Sequence, residues 1–212
     1  MLRIAEIFKS LQGESSYAGL PCAFVRFTGC NLRCCYCDTE YAFYDGKEMT
    51  VNQTVASVEK FNLSLVEITG GEPLLQDGSI ELMKRFLSLN YKVMLETGGS
   101  ISIEYVPKEV IKIIDLKCPS SGEMDNNDFN NLSRLSSHDE IKFVIGDRDD
   151  YEWSCRVLKE YKLENKINIL FSPVFGVLNL RALAEWILKD NLPVRLQTQL
   201  HKHIWDKHAT GV

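Results

Sequence analysis

The sequence predicts an α/β protein: a mostly parallel sheet covered by helices, either open or curled into an incomplete βα barrel. Three observations predict it. Short runs of strand-forming residues recur along the 212 residues, and several stop at glycine. Segments between them carry apolar residues at helical spacing. The chain is also shorter than the roughly 250 residues usual for a closed eight-unit barrel.

The elements follow in order. Residues 22–28, CAFVRFT, form a strand ending at Gly29. Thr50, with Gln53 three residues on, has the pattern of a capping box and opens a helix whose apolar face is Val51, Val55, Val58 and Phe61. Residues 65–69, LVEIT, form a strand that stops at Gly70-Gly71, and Ile80, Met83 and Leu87 mark the next helix. Residues 91–97 run as a strand into Gly98-Gly99, and residues 110–116 and 140–145 give two more. Asp149 or Asp150 is placed to cap a helix carrying Tyr151, Cys155 and Leu158. After a strand over 167–174, Asn179 caps a helix with Leu180, Leu183, Ala184, Ile187 and Leu188 on one face. Residues 193–197 make the last strand, and the polar stretch 120–138 reads as a long loop with one helical turn. Neither an internal repeat nor a linker divides the chain, so one domain over 1–212 is expected.

Composition narrows the function. The chain is 45% hydrophobic and 25% charged, which excludes a disordered chain, a collagen-like fibre and a long coiled coil. Twenty-four basic against 29 acidic side chains leave a net charge of −5, so no global field draws it to nucleic acid or an anionic membrane. No apolar run reaches the ~18 residues of a membrane span. The start, MLRIAEIFKSLQGES, lacks the apolar core of a signal peptide, and a cytoplasmic protein is expected. Seven cysteines, several of them clustered, point in a reducing compartment to metal or redox chemistry rather than a disulfide framework.

Cys30, Cys34 and Cys37 stand in C-x3-C-x2-C spacing, which lets one compact loop aim three thiolates at one point. On a four-iron cluster three thiolates leave one iron open to a small molecule, whereas such clusters otherwise take four cysteines. Spacing alone leaves two alternatives: a structural zinc site with Cys35 or Cys22 as fourth ligand, or a plain electron carrier. Cys118 and Cys155 read as small apolar fillers, and Trp153, Trp186 and Trp205 as core. His201 and His203 alternate, so on a strand at most one faces a site; His208 reads as terminal surface.

The cysteine loop, with aromatic Tyr36 before its last cysteine, and the Gly70-Gly71-Glu72-Pro73 segment after a strand resemble the radical S-adenosylmethionine superfamily. Within it the chain resembles the 7-carboxy-7-deazaguanine synthases along nearly its whole length. The resemblance rests on Ser10-Leu11-Gln12-Gly13-Glu14, Phe24-Val25-Arg26, Cys37-Asp38-Thr39, Thr69 before the glycine pair, Glu96-Thr97-Gly98-Gly99-Ser100, Lys117-Cys118-Pro119-Ser120-Ser121 and Gln199-Leu200-His201-Lys202. It implies an incomplete barrel of the radical S-adenosylmethionine type. It also implies a 4Fe-4S cluster on Cys30, Cys34 and Cys37, with Cys35 a bystander, and a magnesium ion at Thr39. S-adenosylmethionine is implied at Tyr36, Cys37, Asp38, Gly71, Glu72, Thr97, Ser100, Asp115, Leu116 and Lys117. Substrate is implied at Leu11, Gln12, Gly13, Glu14, Arg26, Thr69, Gln199 and Val212.

The implied reaction is a lyase step of 7-deazapurine (queuosine-type) biosynthesis. It contracts the ring of 6-carboxy-5,6,7,8-tetrahydropterin to 7-carboxy-7-deazaguanine with loss of ammonia. The implied partners are this small pterin, an electron donor such as flavodoxin or ferredoxin, and a second copy in a homodimer, with neither nucleic acid nor membrane involved. A glycyl-radical activase of the same superfamily is the rival enzyme reading, and a non-enzymatic iron–sulfur or zinc protein the rival outside it. The first prediction tests the ligand set. Cys37→Ala abolishes cluster assembly on anaerobic reconstitution and Cys35→Ala retains it, as read by iron content and visible absorption. Equal loss in both variants refutes the assignment.

Overall fold

A computed structural model describes residues 1–164, 166–206 and 209–212; His208 lies outside the described residues. The strands are β1 (Leu2–Leu11), β2 (Pro21–Phe27), β3 (Lys47–Met49), β4 (Leu65–Gly70), β5 (Lys92–Thr97), β6 (Ile111–Leu116), β7 (Glu140–Ile145), β8 (Asn168–Pro173) and β9 (Arg195–Leu196). The helices are α1 (Val51–Glu59), α2 (Gly78–Ser88), α3 (Arg148–Glu160), α4 (Leu180–Lys189) and the short α5 (His201–Ile204). All these strands join one sheet in the order β3-β1-β2-β4-β5-β6-β7-β8-β9. From β2 to β9 every neighbouring pair is parallel. Only β1 runs antiparallel, to both β2 and β3. The sheet stays open, with β3 and β9 as its edges. This is the expected mostly parallel α/β architecture.

Two strands escaped the sequence. β1 pairs with β2 through a register shift between Ile4 and Glu6, which breaks its alternation of apolar and polar residues. β3 is three largely exposed residues, KEM, and its strand character comes from its partner β1. The capping box at Thr50 forms as read: its hydroxyl accepts from the Gln53 amide, and the Gln53 side chain accepts from the Thr50 amide. Asn179 caps α4 through the amides of Arg181 and Ala182.

The cap of α3 is Asp147, not Asp149 or Asp150; its carboxylate accepts from the Asp150 amide at 2.9 Å. Asp150 is held elsewhere. It is buried, accepts from the backbone amides of Ser120 (2.8 Å) and Gly146 (2.7 Å), and also takes the Ser120 hydroxyl. The stretch 120–138 carries three short 3-10 segments, Pro119–Ser121, Met124–Asn126 and Phe129–Arg134, rather than a single turn. Its asparagines hold it down. Buried Asn131 accepts from the Ile103 amide at 3.0 Å and donates to the Ile101 carbonyl at 2.9 Å, while Asn127 brackets the Lys117 backbone at 2.9 Å on both sides. Cys118 is buried against Ser154, and Trp153 and Trp186 pack on the core, as read; Trp205 instead follows α5, half-buried.

Strand alternation divides the interior in two. Val25, Phe27, Ile68, Leu95, Ile114, Phe143 and Phe171 face the helices and pack with Leu82, Met83, Phe86, Leu158 and Leu183. The opposite face begins with a separate apolar cluster of Phe24, Leu65, Met94, Ile111 and Ile113, with Phe8 and Tyr17 against it. Toward the C-terminal ends of the same strands this face turns polar, with Arg26, Thr69, Glu96, Asp115 and Lys142 lining one cavity. The second prediction concerns α1. Thr50→Ala removes the side-chain half of its cap and lowers unfolding free energy by about 1 kcal/mol, measured by chemical denaturation; an unchanged midpoint counts against the cap.

Candidate active site

The cavity has a volume of about 950 Å³ above the apolar cluster, and its two walls join sequence-expected residues to others the sequence did not single out. The first wall is the loop after β2. Gly29 turns it with a left-handed φ of +93°, and Leu32 buries its side chain and anchors the loop. Cys30, Cys34 and Cys37 line the cavity as free thiols. The Leu32 amide donates to the Cys30 sulfur at 3.4 Å. Cys35 is exposed, and its thiol donates to the Ser120 carbonyl at 2.8 Å.

The Gly-Gly-Glu-Pro segment is welded to this loop. The Glu72 amide donates to the Gly29 carbonyl at 2.8 Å. A side chain on Gly71 would run into the Gly29 carbonyl and the Cys30 Cβ, so only glycine permits the approach. The Glu72 side chain is fully buried and does not face the cavity. It accepts from the Leu74 amide (3.0 Å), the Thr97 hydroxyl (2.8 Å) and the Gly98 amide (2.9 Å), binding the loop after β4 to the loop after β5. Ser100 and Leu116 also lie outside the lining. Ser100 bonds Asn31 across the two loops at 2.9 Å, and strand alternation turns Leu116 into the helix-covered core, opposite to Asp115 and Lys117.

The second wall is ionic. The Lys142 ammonium on β7 meets Glu14 at 2.9 Å and Asp115 at 3.4 Å, and also pairs with Glu96. Lys117 pairs with Asp115 at 3.0 Å. Burial opposes charge on both lysines, but the facing carboxylates outweigh it and hold them protonated well above the ordinary range. Asp115 keeps its other oxygen, Oδ1, buried without a hydrogen-bond partner. Beyond it the stacked rings of Phe8 and Phe24, 4.9 Å apart, floor the cavity. Arg26 lies over Phe8 and Tyr41 and is steered by Glu6, which accepts from its Nε and from the Tyr41 hydroxyl, each at 2.7 Å. Arg26 is therefore a held cavity residue, not a surface partner.

The C-terminal segment closes the rim. The Gln199 amide donates to Glu14 at 2.9 Å and Asp38 at 3.2 Å, and Lys202 pairs with Asp38 at 2.6 Å. Burial resists ionisation of Asp38, but Lys202, the Thr39 hydroxyl and Gln199 outweigh it and hold the carboxyl far below its usual range. His201 packs against Gly13 and lines the cavity; burial lowers its pKa. It sits on α5, so the strand alternation expected of His201 and His203 does not apply, and exposed His203 bonds Thr198 instead. Leu11, Gln12, Gly13, Tyr36, Thr39, Thr69, Gly71, Thr97 and Val212 complete the expected lining.

The residues fit the groups the sequence implies. Burial pushes the Cys34 thiol up to about 11 and raises Cys30 and Cys37, with Lys117 opposing. Such thiols ionise when a metal takes the proton's place. Cys30, Cys34 and Cys37 on one wall, which Cys35 also lines, an unpartnered carboxylate oxygen beside them and a backbone-to-backbone glycine contact would suit a 4Fe-4S cluster and S-adenosylmethionine. Sequence reasoning missed Glu6, Tyr41, Glu67 and Lys142. The last two carried a signal: each is a charged residue inside a strand buried on both faces, which must then look into a cavity or find a partner.

An open parallel sheet with a three-cysteine loop at its carboxyl ends defines a class, and the model of the Radical SAM superfamily matches residues 24–187. The chain is similar to the 7-carboxy-7-deazaguanine synthase of Koribacter versatilis, 46% identical over the whole of both chains. It is equally similar, at 46% identity, to that of Chlorobaculum tepidum, covering 100% of this chain and 97% of the other. The chain belongs to the 7-carboxy-7-deazaguanine synthase family of the radical SAM superfamily. The crystal structure of QueE from Escherichia coli shares its fold, with a TM-score of 0.76 at 22% identity over 93% of this chain and 94% of that one. Membership sets aside the zinc and electron-carrier alternatives that cysteine spacing leaves open. The third prediction follows from the welded loops. Gly71→Ala forces them apart at a cost of about 1–3 kcal/mol and lowers iron bound per chain after reconstitution; wild-type iron content refutes the close contact.

Proposed function

We propose that this chain contracts the ring of 6-carboxy-5,6,7,8-tetrahydropterin to 7-carboxy-7-deazaguanine with release of ammonia, as a carbon–nitrogen lyase. The observation that carries the reading is one cavity with two unlike walls, a three-thiol loop and a fixed set of charges over an aromatic floor. Cys30, Cys34 and Cys37 hold the 4Fe-4S cluster. Tyr36, Asp38, Gly71, Thr97, Asp115 and Lys117 surround S-adenosylmethionine, with Glu72, Ser100 and Leu116 shaping that pocket from behind or through backbone. Bound there, these groups would supply radical chemistry, able to activate a carbon–hydrogen bond that no side-chain base can deprotonate.

The chain's own residues place and neutralise. Arg26, steered by Glu6, offers its free N–H groups to a planar polar partner. Gln12 and Glu14 bring amide and carboxylate to the same end of the cavity, where Lys142 and Gln199 fix Glu14. Leu11, Gly13, Thr69 and Val212 bound the slot. The Asp115 Oδ1 waits for a donor. Thr39 donates at 2.9 Å to Asp38, and its hydroxyl oxygen would serve as a ligand to a magnesium ion, which would neutralise the substrate carboxylate.

In this reading the chain is one catalytic unit, pairs as a homodimer in the cytoplasm and takes electrons from a flavodoxin- or ferredoxin-like protein. The seven free cysteines accord with a reducing compartment, and among the described residues no helix is long and apolar enough to cross a membrane. The fourth prediction is the direct test. The reconstituted, reduced protein with S-adenosylmethionine, magnesium and the carboxytetrahydropterin yields the deazapurine by mass spectrometry. Reductive cofactor cleavage with no new purine overturns the reading and moves it to another radical SAM reaction.

A further inference from the structure

Glu67 lies deepest of the cavity's acids. Strand register sets it on β4 between Phe24 of β2 and Met94 of β5, both apolar. It is only 4% exposed yet lines the cavity. Among the described residues its carboxyl has one hydrogen-bond partner, the Gln12 side-chain amide at Oε2. That amide cannot be turned around, because its oxygen accepts from the Glu14 backbone N–H at 3.1 Å. Gln12 must therefore present N–H to Glu67, and Oε1 of Glu67 is left for whatever fills the cavity.

The groups facing Glu67 are Glu96 from β5, Glu14 from the loop after β1, Lys142 from β7, and Arg26 and Cys22 from β2. The two cations are engaged elsewhere, Lys142 with Glu14, Glu96 and Asp115, and Arg26 with Glu6. Burial first, then Glu96 and Glu14, push the Glu67 carboxyl well above its usual range. A carboxylate in this apolar notch beside two others is costly, and protonation removes the cost.

We propose that Glu67 works as a neutral carboxylic acid that reads the lactam edge of the substrate heterocycle. This rests on the pterin reading above and deepens it. A neutral acid offers O–H beside C=O, the complement of a lactam's C=O beside N–H; an ionised carboxylate offers acceptors only and matches two N–H groups. Oε1–H donates to the lactam oxygen, while Oε2, which keeps a lone pair beyond the Gln12 bond, accepts from the lactam N–H. Because the locked Gln12 N–H holds Oε2 as an acceptor, the proton stays on Oε1, and this fixed order selects a 4-oxo ring against its 4-amino counterpart.

The test compares two probes, pterin-6-carboxylate and 2,4-diaminopteridine-6-carboxylate, binding to the reconstituted holoenzyme without oxygen. Wild type prefers the lactam by about tenfold or more. Glu67→Gln, neutral and still a donor and acceptor, keeps the preference; Glu67→Leu, which suits the apolar notch, loses it. Difference infrared spectra of the ligand-free protein at neutral pH show a protonated-carboxyl band in wild type that is absent from Glu67→Gln. Equal or tighter binding of the diamino compound by wild type overturns the proposal, as does an ionised Glu67 in the spectra. Failure of both probes to bind wild type, with the infrared band present, removes the pterin reading itself and this proposal with it.

Discussion

The cavity depends on one ammonium group. Lys142 stands where a parallel sheet would ordinarily bury an aliphatic side chain, and three carboxylates from three separate segments close on it. Glu14 comes from the loop after the antiparallel β1, Glu96 from β5 and Asp115 from β6. Without the cation these acids would repel one another in a poorly solvated interior. With it they are drawn to fixed positions, and each passes the constraint outward. Asp115 orients Lys117 beside the cysteines, and Glu14 receives Gln199 from the C-terminal segment. The Glu14 end and the cysteine end of the cavity are thus parts of one electrostatic lattice.

A second constraint is mechanical. The loops after β2, β4 and β5 are joined by backbone contact at Gly71 and by the three donors gathered on Glu72. Glu72 acts as a rivet between loops, which explains how the carboxylate of the Gly-Gly-Glu-Pro segment is wholly withdrawn from the cavity. The cysteine loop inherits the rigidity of the sheet through these bonds, although the loop has little regular structure of its own.

Local chemistry decided what could be read in advance. Parallel strands buried on both faces announce themselves as apolar runs, and the capping box at Thr50 and the cap at Asn179 are short-range patterns complete within a few residues. The cysteine spacing is local in the same sense. β1 was hidden because a bulge breaks its alternation, and β3 because its pairing is lent by a distant strand. The Asp147 cap was missed because three nearby aspartates are equivalent until Ser120 and Gly146 claim Asp150. Glu67 and Lys142 looked like blemishes in apolar strands; their meaning appears only when the sheet brings their strands to one cavity.

The shape of the sheet has a further consequence. Its edges are its two shortest strands, three residues in β3 and two in β9, and both are largely exposed. Unpaired backbone along a long, flat border invites a passing extended polypeptide to zip on. Here the longer, apolar ladders are all internal, so a wide sheet presents little template for runaway polymerisation, and solubility is protected by how the sheet tapers at either side.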